Sequence, residues 1–190
     1  MRFAVTGCGR MGLAHTHRLV GDPRSTVVAL HDPVFESAEG LRKSLAPEAT
    51  VYSSFEQMLE QTECDALVIA TPTNSHEGQI NAAAKHNLHV LCEKPLGGDR
   101  ESIVRLVELS RSRSDLHLML GYQRRCWSVY QRLREELHSG RHGKIRAVTS
   151  VSAERWQQTI SNTWRDDPSI NYGGFLGDAG SHKIDILFYF

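Results

Sequence analysis

Two stretches of this chain bring together side chains that could move a proton. From Gly173 the sequence reads Gly-Gly-Phe-Leu-Gly-Asp-Ala-Gly-Ser-His-Lys-Ile-Asp. If Leu176 onward is helical, Asp178, His182 and Asp185 fall at i, i+4 and i+7 and project from one face. Imidazole titrates near neutrality, so His182 can take a hydroxyl proton while a carboxylate one turn away orients the ring and stabilises its charged form. Read in isolation, the same trio also fits a surface network on a helix, or ligation of a divalent ion by two carboxylates and an imidazole. The second stretch is Glu93-Lys94-Pro95, directly after an apolar strand candidate. That places Lys94 at the carboxyl end of a sheet, where open α/β folds bind ligands. Desolvation there would lower the pKa of an ammonium and let it donate or relay a proton, whereas a solvated lysine beside a turn proline would do neither.

A third stretch points to a cofactor. Gly7-Cys8-Gly9-Arg10-Met11-Gly12 lies between a strand candidate, Phe3 to Val5, and a helix candidate, Met11 to Val20. Glycines spaced GxGxxG permit a tight turn, let the backbone approach a pyrophosphate, and aim a helix N-terminus at the phosphates. The turn from Gly7 to Gly12, including Arg10 and Met11, is therefore the expected cofactor-binding segment. A second strand candidate, Thr26 to Leu30, delivers Asp32 twenty residues beyond Gly12, where an adenine ribose would lie. A carboxylate there accepts from the 2′-hydroxyl and repels a 2′-phosphate, so NAD is expected in preference to NADP, although Arg10 could meet such a phosphate.

The elements that must carry these residues alternate between strand and helix, the pattern of βαβ units in a parallel sheet. Helix candidates near Glu36 to Leu45, Phe55 to Leu59, Ser75 to His86 and Asp99 to Arg111 separate strand candidates around Val51, at Cys64 to Ala70, Leu88 to Cys92 and Leu116 to Leu120. Thr71-Pro72 closes the Cys64 to Ala70 strand, since proline cannot continue the ladder. The expected fold is α/β, a doubly wound Rossmann sheet over residues 1–121, followed by the start of an α+β domain over 122–190. That second part holds a polar helix candidate from Ser128 to His138, a turn at Gly140 to Gly143 and a strand candidate from Ile145 to Val151.

Bulk properties narrow the function classes. The 190 residues carry 22 basic and 22 acidic side chains, which removes any global electrostatic case for nucleic acid or membrane partners. No apolar run approaches the roughly twenty residues that a bilayer span needs. The four cysteines, Cys8, Cys64, Cys92 and Cys126, form no CxxC pair and read as small buried residues of a reducing compartment, so cytoplasmic residence is expected. The basic residues Arg124, Arg125, Arg132, Arg134, Arg141, His142 and Lys144 are interrupted by Glu135 and Glu136, as on a solvated helix face. His15 and His17 lie two apart on the first helix, cannot share a face, and read as incidental.

Taken together, Gly7 to Gly12, Ala70-Thr71-Pro72-Thr73-Asn74-Ser75-His76, Cys92-Glu93-Lys94-Pro95, Gly121-Tyr122-Gln123-Arg124-Arg125 and the Gly173 to Asp185 block resemble the Gfo/Idh/MocA family of oxidoreductases. The resemblance spans nearly the whole chain. It implies that Lys94 lies near the nicotinamide and the reacting oxygen, that Asp178 and His182 complete the catalytic site, and that no metal takes part. It also implies cofactor contacts from Thr71, Pro72, Asn74, His76, Glu93, Trp164 and Arg165. The implied activity is hydride transfer between a sugar, polyol or related hydroxyl compound and NAD. A non-catalytic NAD-binding module or truncated relic, and an NAD-recycling glycosidase or epimerase of the same family, are the alternatives.

Two features depart from the family pattern. Arg124-Arg125-Cys126-Trp127 stands where relatives continue Arg-Phe and a proline, which bears on the substrate-facing wall. The resemblance also implies a chain roughly twice as long, with a mostly antiparallel C-terminal sheet. The run Ile184-Asp185-Ile186-Leu187-Phe188-Tyr189-Phe190 has no capping glycine and no polar tail, so a fragment, an interrupted reading frame, or a half completed by another chain is the expectation. A homo-oligomer would follow if the missing sheet is supplied.

Overall fold

The computed structural model describes residues 1–171 and 173–190, which divide into two compact units, Met1–Leu120 and Gly121–Phe190. The first unit is a six-stranded sheet ordered β3-β2-β1-β4-β5-β6. Its strands are β1 (Arg2–Thr6), β2 (Thr26–His31), β3 (Thr50–Tyr52), β4 (Ala66–Ile69), β5 (His89–Cys92) and β6 (Leu118–Leu120). Every neighbouring pair is parallel. The connections run through α1 (Arg10–Val20), α2 (Phe35–Leu45), α3 (Phe55–Gln61), α4 (His76–Lys85) and α5 (Arg100–Ser112). This is the Rossmann arrangement expected from the alternating pattern.

Successive strand residues point to opposite faces, and each face has its own core. Ala4, Ala29 and Leu67 pack with Met58 of α3, Ile80 of α4 and Leu106 of α5, while Val5, Leu30 and Val68 pack with Ala38 and Leu41 of α2. All four residues of β4 are buried, as a central parallel strand covered on both sides requires. α5 begins with a capping box, in which Asp99 accepts from the Ser102 N–H at 2.7 Å while the Ser102 hydroxyl faces the Asp99 backbone. The chain starts at the middle of the sheet, winds outward to β3 and returns to β4 beside β1. The loops after β1 and β4 therefore diverge, which opens a crevice at the carboxyl ends.

The second unit contains α6 (Ser128–His138), α7 (Trp156–Ile160) and α8 (Ser181–Tyr189), with short 3₁₀ turns at Gln123–Cys126 and Trp164–Asp166. A π turn, Leu176–Gly180, leads directly into α8. Residues 145–151, expected as a strand, form no ladder, and Ile145, Val148 and Val151 are exposed. A strand exists only when its N–H and C=O groups meet a partner, and no strand is present among the described residues of this unit. Cys126 also corrects its expectation: it is exposed, whereas Cys8 and Cys92 are buried and Cys64 is half-buried.

Candidate functional site

The loops at the carboxyl end of the first unit are built from backbone constraints. Gly7 has φ +86°, and its N–H donates to the His31 carbonyl at 2.8 Å. A Cβ at Gly7 would lie 2.6 Å from the Ala70 carbonyl carbon, and one at Gly12 would collide with the Gly7 carbonyl. At both positions only glycine lets β1, the turn and α1 close on one another. Gly9 differs, because a Cβ there meets nothing within 4 Å. Its backbone is the open side of the turn.

Gly9 is also the N-cap of α1, with no side-chain cap and no acidic residue in the first turn. The N–H groups of the first turn, at Arg10, Met11 and Gly12, are thus left to an anion from outside. Asp32, after β2, closes the turn from the other side: its Oδ2 accepts from the Cys8 N–H at 2.8 Å and its Oδ1 from the Val34 N–H at 2.9 Å. Each carboxylate oxygen keeps a further lone pair for a ribose hydroxyl. Burial, and then the charge of Asp32, pushes the Cys8 thiol up to about 12, so this cysteine stays protonated within the turn. The open glycine edge, the uncapped helix and the carboxylate at the end of β2 fit a dinucleotide.

A chain of hydrogen bonds runs beneath this floor. The Thr71 hydroxyl donates to Gln79 Oε1 at 2.6 Å, Gln79 Nε2 donates to Thr6 Oγ1 at 3.4 Å, and Thr6 Oγ1 lies 2.8 Å from His31 Nδ1. A neutral His31 accepts at Nδ1, which gives every member of the chain one direction. Burial lowers the His31 pKa despite the nearby Asp32 charge, in keeping with that neutral ring. Thr71, Pro72 and Asn74 form the loop after β4, with Asn74 exposed. His76 is buried, with Nδ1 2.9 Å from the Pro95 carbonyl oxygen and Nε2 3.1 Å from that of Thr71. Its ring braces the two loops that follow β4 and β5.

Glu93, Lys94 and Pro95 leave β5, with a cis bond before the proline. Lys94 is half-buried, whereas Glu93 is 8% exposed. The Glu93 Oε1 lies 2.8 Å from Nε2 of His15 on α1, which corrects the reading of His15 as incidental. Nothing local to His15 signals this, because its partner stands 78 residues away.

In the second unit Asp178, His182 and Asp185 are all buried. The π turn changes the register assumed for a continuous α-helix, since Asp178 belongs to that turn and His182 and Asp185 to α8. Arginines hold the two carboxylates. Arg165 Nε donates to Asp178 Oδ2 at 2.9 Å, and Arg125 donates to both oxygens of Asp185, from Nε at 2.9 Å and from Nη2 at 2.5 Å. Arg165 also stacks over Trp164, 4.3 Å from the ring centroid, and its carbonyl accepts from Asn171 at 2.7 Å. The Tyr122 ring meets His182 edge-on at 5.8 Å. Sequence reasoning singled out Arg125 as a family departure and as part of a basic stretch, and missed its partner 60 residues away.

The first unit is thus a dinucleotide-binding Rossmann domain. The chain belongs to the GFO/IDH/MocA family: residues 1–122 match "Oxidoreductase family, NAD-binding Rossmann fold", and residues 130–190 match "GFO/IDH/MocA C-terminal domain". It is 30% identical to the rhizopine catabolism protein MocA of Rhizobium meliloti over 97% of this chain and 55% of that protein. It is 34% identical to an inositol 2-dehydrogenase of Leifsonia xyli over 80% of this chain and 44% of that enzyme. Among solved structures, scyllo-inositol dehydrogenase from Lactobacillus casei with bound NAD(H) and scyllo-inositol superposes with a TM-score of 0.88 at 26% identity, covering 100% of this chain and 56% of that one. The WlbA dehydrogenase from Bordetella pertussis, in complex with NADH and UDP-GlcNAcA, gives 0.85 at 27% identity over 100% and 54%. The chain spans about half the length of the relatives it matches.

Proposed function

We propose that residues 1–121 form the cofactor domain and residues 122–190 part of the substrate domain of an NAD-dependent oxidoreductase acting on a hydroxyl group of a sugar, polyol or related compound. The observation that carries this reading is the turn from Gly7 to Gly12, open at Gly9 and closed by Asp32 on the Cys8 N–H. The inositol dehydrogenases among the relatives support the substrate class. When bound, NAD supplies the hydride acceptor. The glycine turn and the first turn of α1 hold its pyrophosphate, and Asp32 accepts from the adenine ribose. His182 takes the hydroxyl proton, Lys94 hydrogen-bonds the oxygen as it becomes a carbonyl, and Asp178, held by Arg165, orients the substrate.

The same reading carries cytoplasmic residence, supported by four free cysteines. It also carries self-association, supported by the exposed Ile184, Leu187 and Phe188 of α8. No helix among the described residues is long and apolar enough to cross a membrane.

A fluorescence titration with NADH, followed by absorbance assays with NAD and a panel containing scyllo-inositol, myo-inositol and sugars, tests the proposal. Saturable binding and turnover of at least one hydroxyl compound are expected, whereas binding without any turnover would favour a binding module. His182→Ala should lower turnover by about 10²–10⁴-fold while NADH affinity stays within about threefold. Undiminished turnover would remove His182 from the reaction.

A further inference from the structure

The turn that carries Lys94 is gripped by two helices. Glu93, before the lysine, meets His15 of α1 at 2.8 Å, and the side chains of that pair are only 15% and 10% exposed. The Pro95 carbonyl, after the lysine, meets His76 of α4 at 2.9 Å. α1 and α4 contribute to different faces of the sheet, Leu19 to one core and Ile80 to the other. Burying a carboxylate is costly unless it is hydrogen-bonded and faces opposite charge. Desolvation is the largest influence on Glu93 and raises its pKa, but the His15 hydrogen bond and charge, the Lys94 charge and the Lys94 backbone N–H together lower it below the ordinary range. Glu93 is thus an ionised anchor inside the protein, tied on one side to α1 and on the other to the backbone of the lysine that follows it. α1 is also the helix whose first turn forms the phosphate cradle.

We propose that His15 is a positioning residue: by holding the Glu93 carboxylate it locks the Glu93-Lys94-Pro95 turn to the glycine helix, so that the cradle and the Lys94 ammonium keep one geometry. Without the imidazole, Glu93 has no donor from α1, and only the Lys94 charge and backbone N–H remain to offset its desolvation. The carboxylate then turns toward water and carries the Lys94 backbone with it. The role requires a donor at the position of Nε2, not merely a ring that fills space. An amide can supply that donor, and a hydrocarbon side chain cannot. The kinetic part of this inference rests on the oxidoreductase reading; the positional part does not.

The experiment compares His15→Leu and His15→Gln in the full chain, with lysines ¹³C-methylated and the Lys94 resonance assigned by Lys94→Arg. In the parent protein the Lys94 signal should stand apart from those of surface lysines and shift on titration with NADH. In His15→Leu it should move to the surface-lysine position and cease to respond, while NADH affinity changes by less than about threefold. His15→Gln should restore most of the response. On any hydroxyl compound that the parent enzyme oxidises, His15→Leu should lower kcat by about tenfold or more with little change in the KM for NAD, and His15→Gln should recover it. A Lys94 signal unchanged in His15→Leu overturns the proposal. So does equal loss in both variants accompanied by equal loss of thermal stability, which would mark a packing role. If the parent turns over no compound, the oxidoreductase reading fails while the resonance still decides the role of His15.

Discussion

The two compact units stabilise buried polar groups by different means. In the first, the Thr71-Gln79-Thr6-His31 chain is joined by neutral hydrogen bonds laid over a parallel ladder, and the charged members of this unit, Asp32 on the Cys8 N–H and Glu93 on His15, stand at the strand ends. In the second no ladder is described, and the buried acids are met by arginines, Asp178 by Arg165 and Asp185 by Arg125. A ladder fixes position through the backbone, so side chains there need only complete it. A helical unit without a ladder fixes position through side-chain charge, so loss of one partner strands the other.

All three tryptophans, Trp127, Trp156 and Trp164, lie in the second unit, whereas far-ultraviolet dichroism is dominated by the larger first unit. The two signals therefore read the contrast separately. The largest effect is expected from Gly12→Ala, whose Cβ collides with the Gly7 carbonyl. It should cost the first unit about 4 kcal/mol and abolish NADH binding, shifting the dichroism transition and not the tryptophan one. A common shift of both transitions would show that the units unfold as one.

Next comes Arg125→Met, which leaves the Asp185 carboxylate, 6% exposed, without its bidentate partner. Arg125 is itself 47% exposed, so water relieves part of the penalty, and a loss of about 2 kcal/mol in the tryptophan transition is expected. Adding Asp185→Leu should recover most of it; if the double variant is the less stable, the ion pair is not what holds this unit. Thr6→Val removes the middle of the neutral chain and should cost about 1 kcal/mol, since one of its bonds is long at 3.4 Å. NADH affinity measured alongside tells whether the chain supports the cofactor floor.

A smaller effect should follow pH. His31 and His76 are held below the ordinary 6.5, first by burial, against the raising influence of Asp32 on one and of the Thr71 and Pro95 carbonyls on the other. Below pH 6.5 the unfolded chain takes up protons that the folded chain refuses, so the contribution of these rings is complete above that value and is lost as pH falls. Urea midpoints followed by dichroism should decline from pH 7.5 to 5.5, and less steeply in His31→Gln. A rise over the same interval would reverse the assignment.

The Rossmann sheet, with its strands near the expected positions, and the glycine turn were legible because their causes are local. A buried parallel strand is an apolar run, a positive φ asks for glycine, and Asp99 caps the helix that it precedes. Residues 145–151 carry strand-forming residues without a ladder, because pairing is a property of two segments and composition describes one. The pairings that organise the candidate site join residues far apart: His15 with Glu93 across 78 positions, Gln79 with Thr6 across 73, and Arg125 with Asp185 across 60. By itself the sequence determined the backbone turns, the apolar pattern and the supply of titratable groups, each a property of a residue and its near neighbours. Which histidine grips which carboxylate, and which carboxylates lie out of water, was decided only by packing, which creates both the proximity and the desolvation.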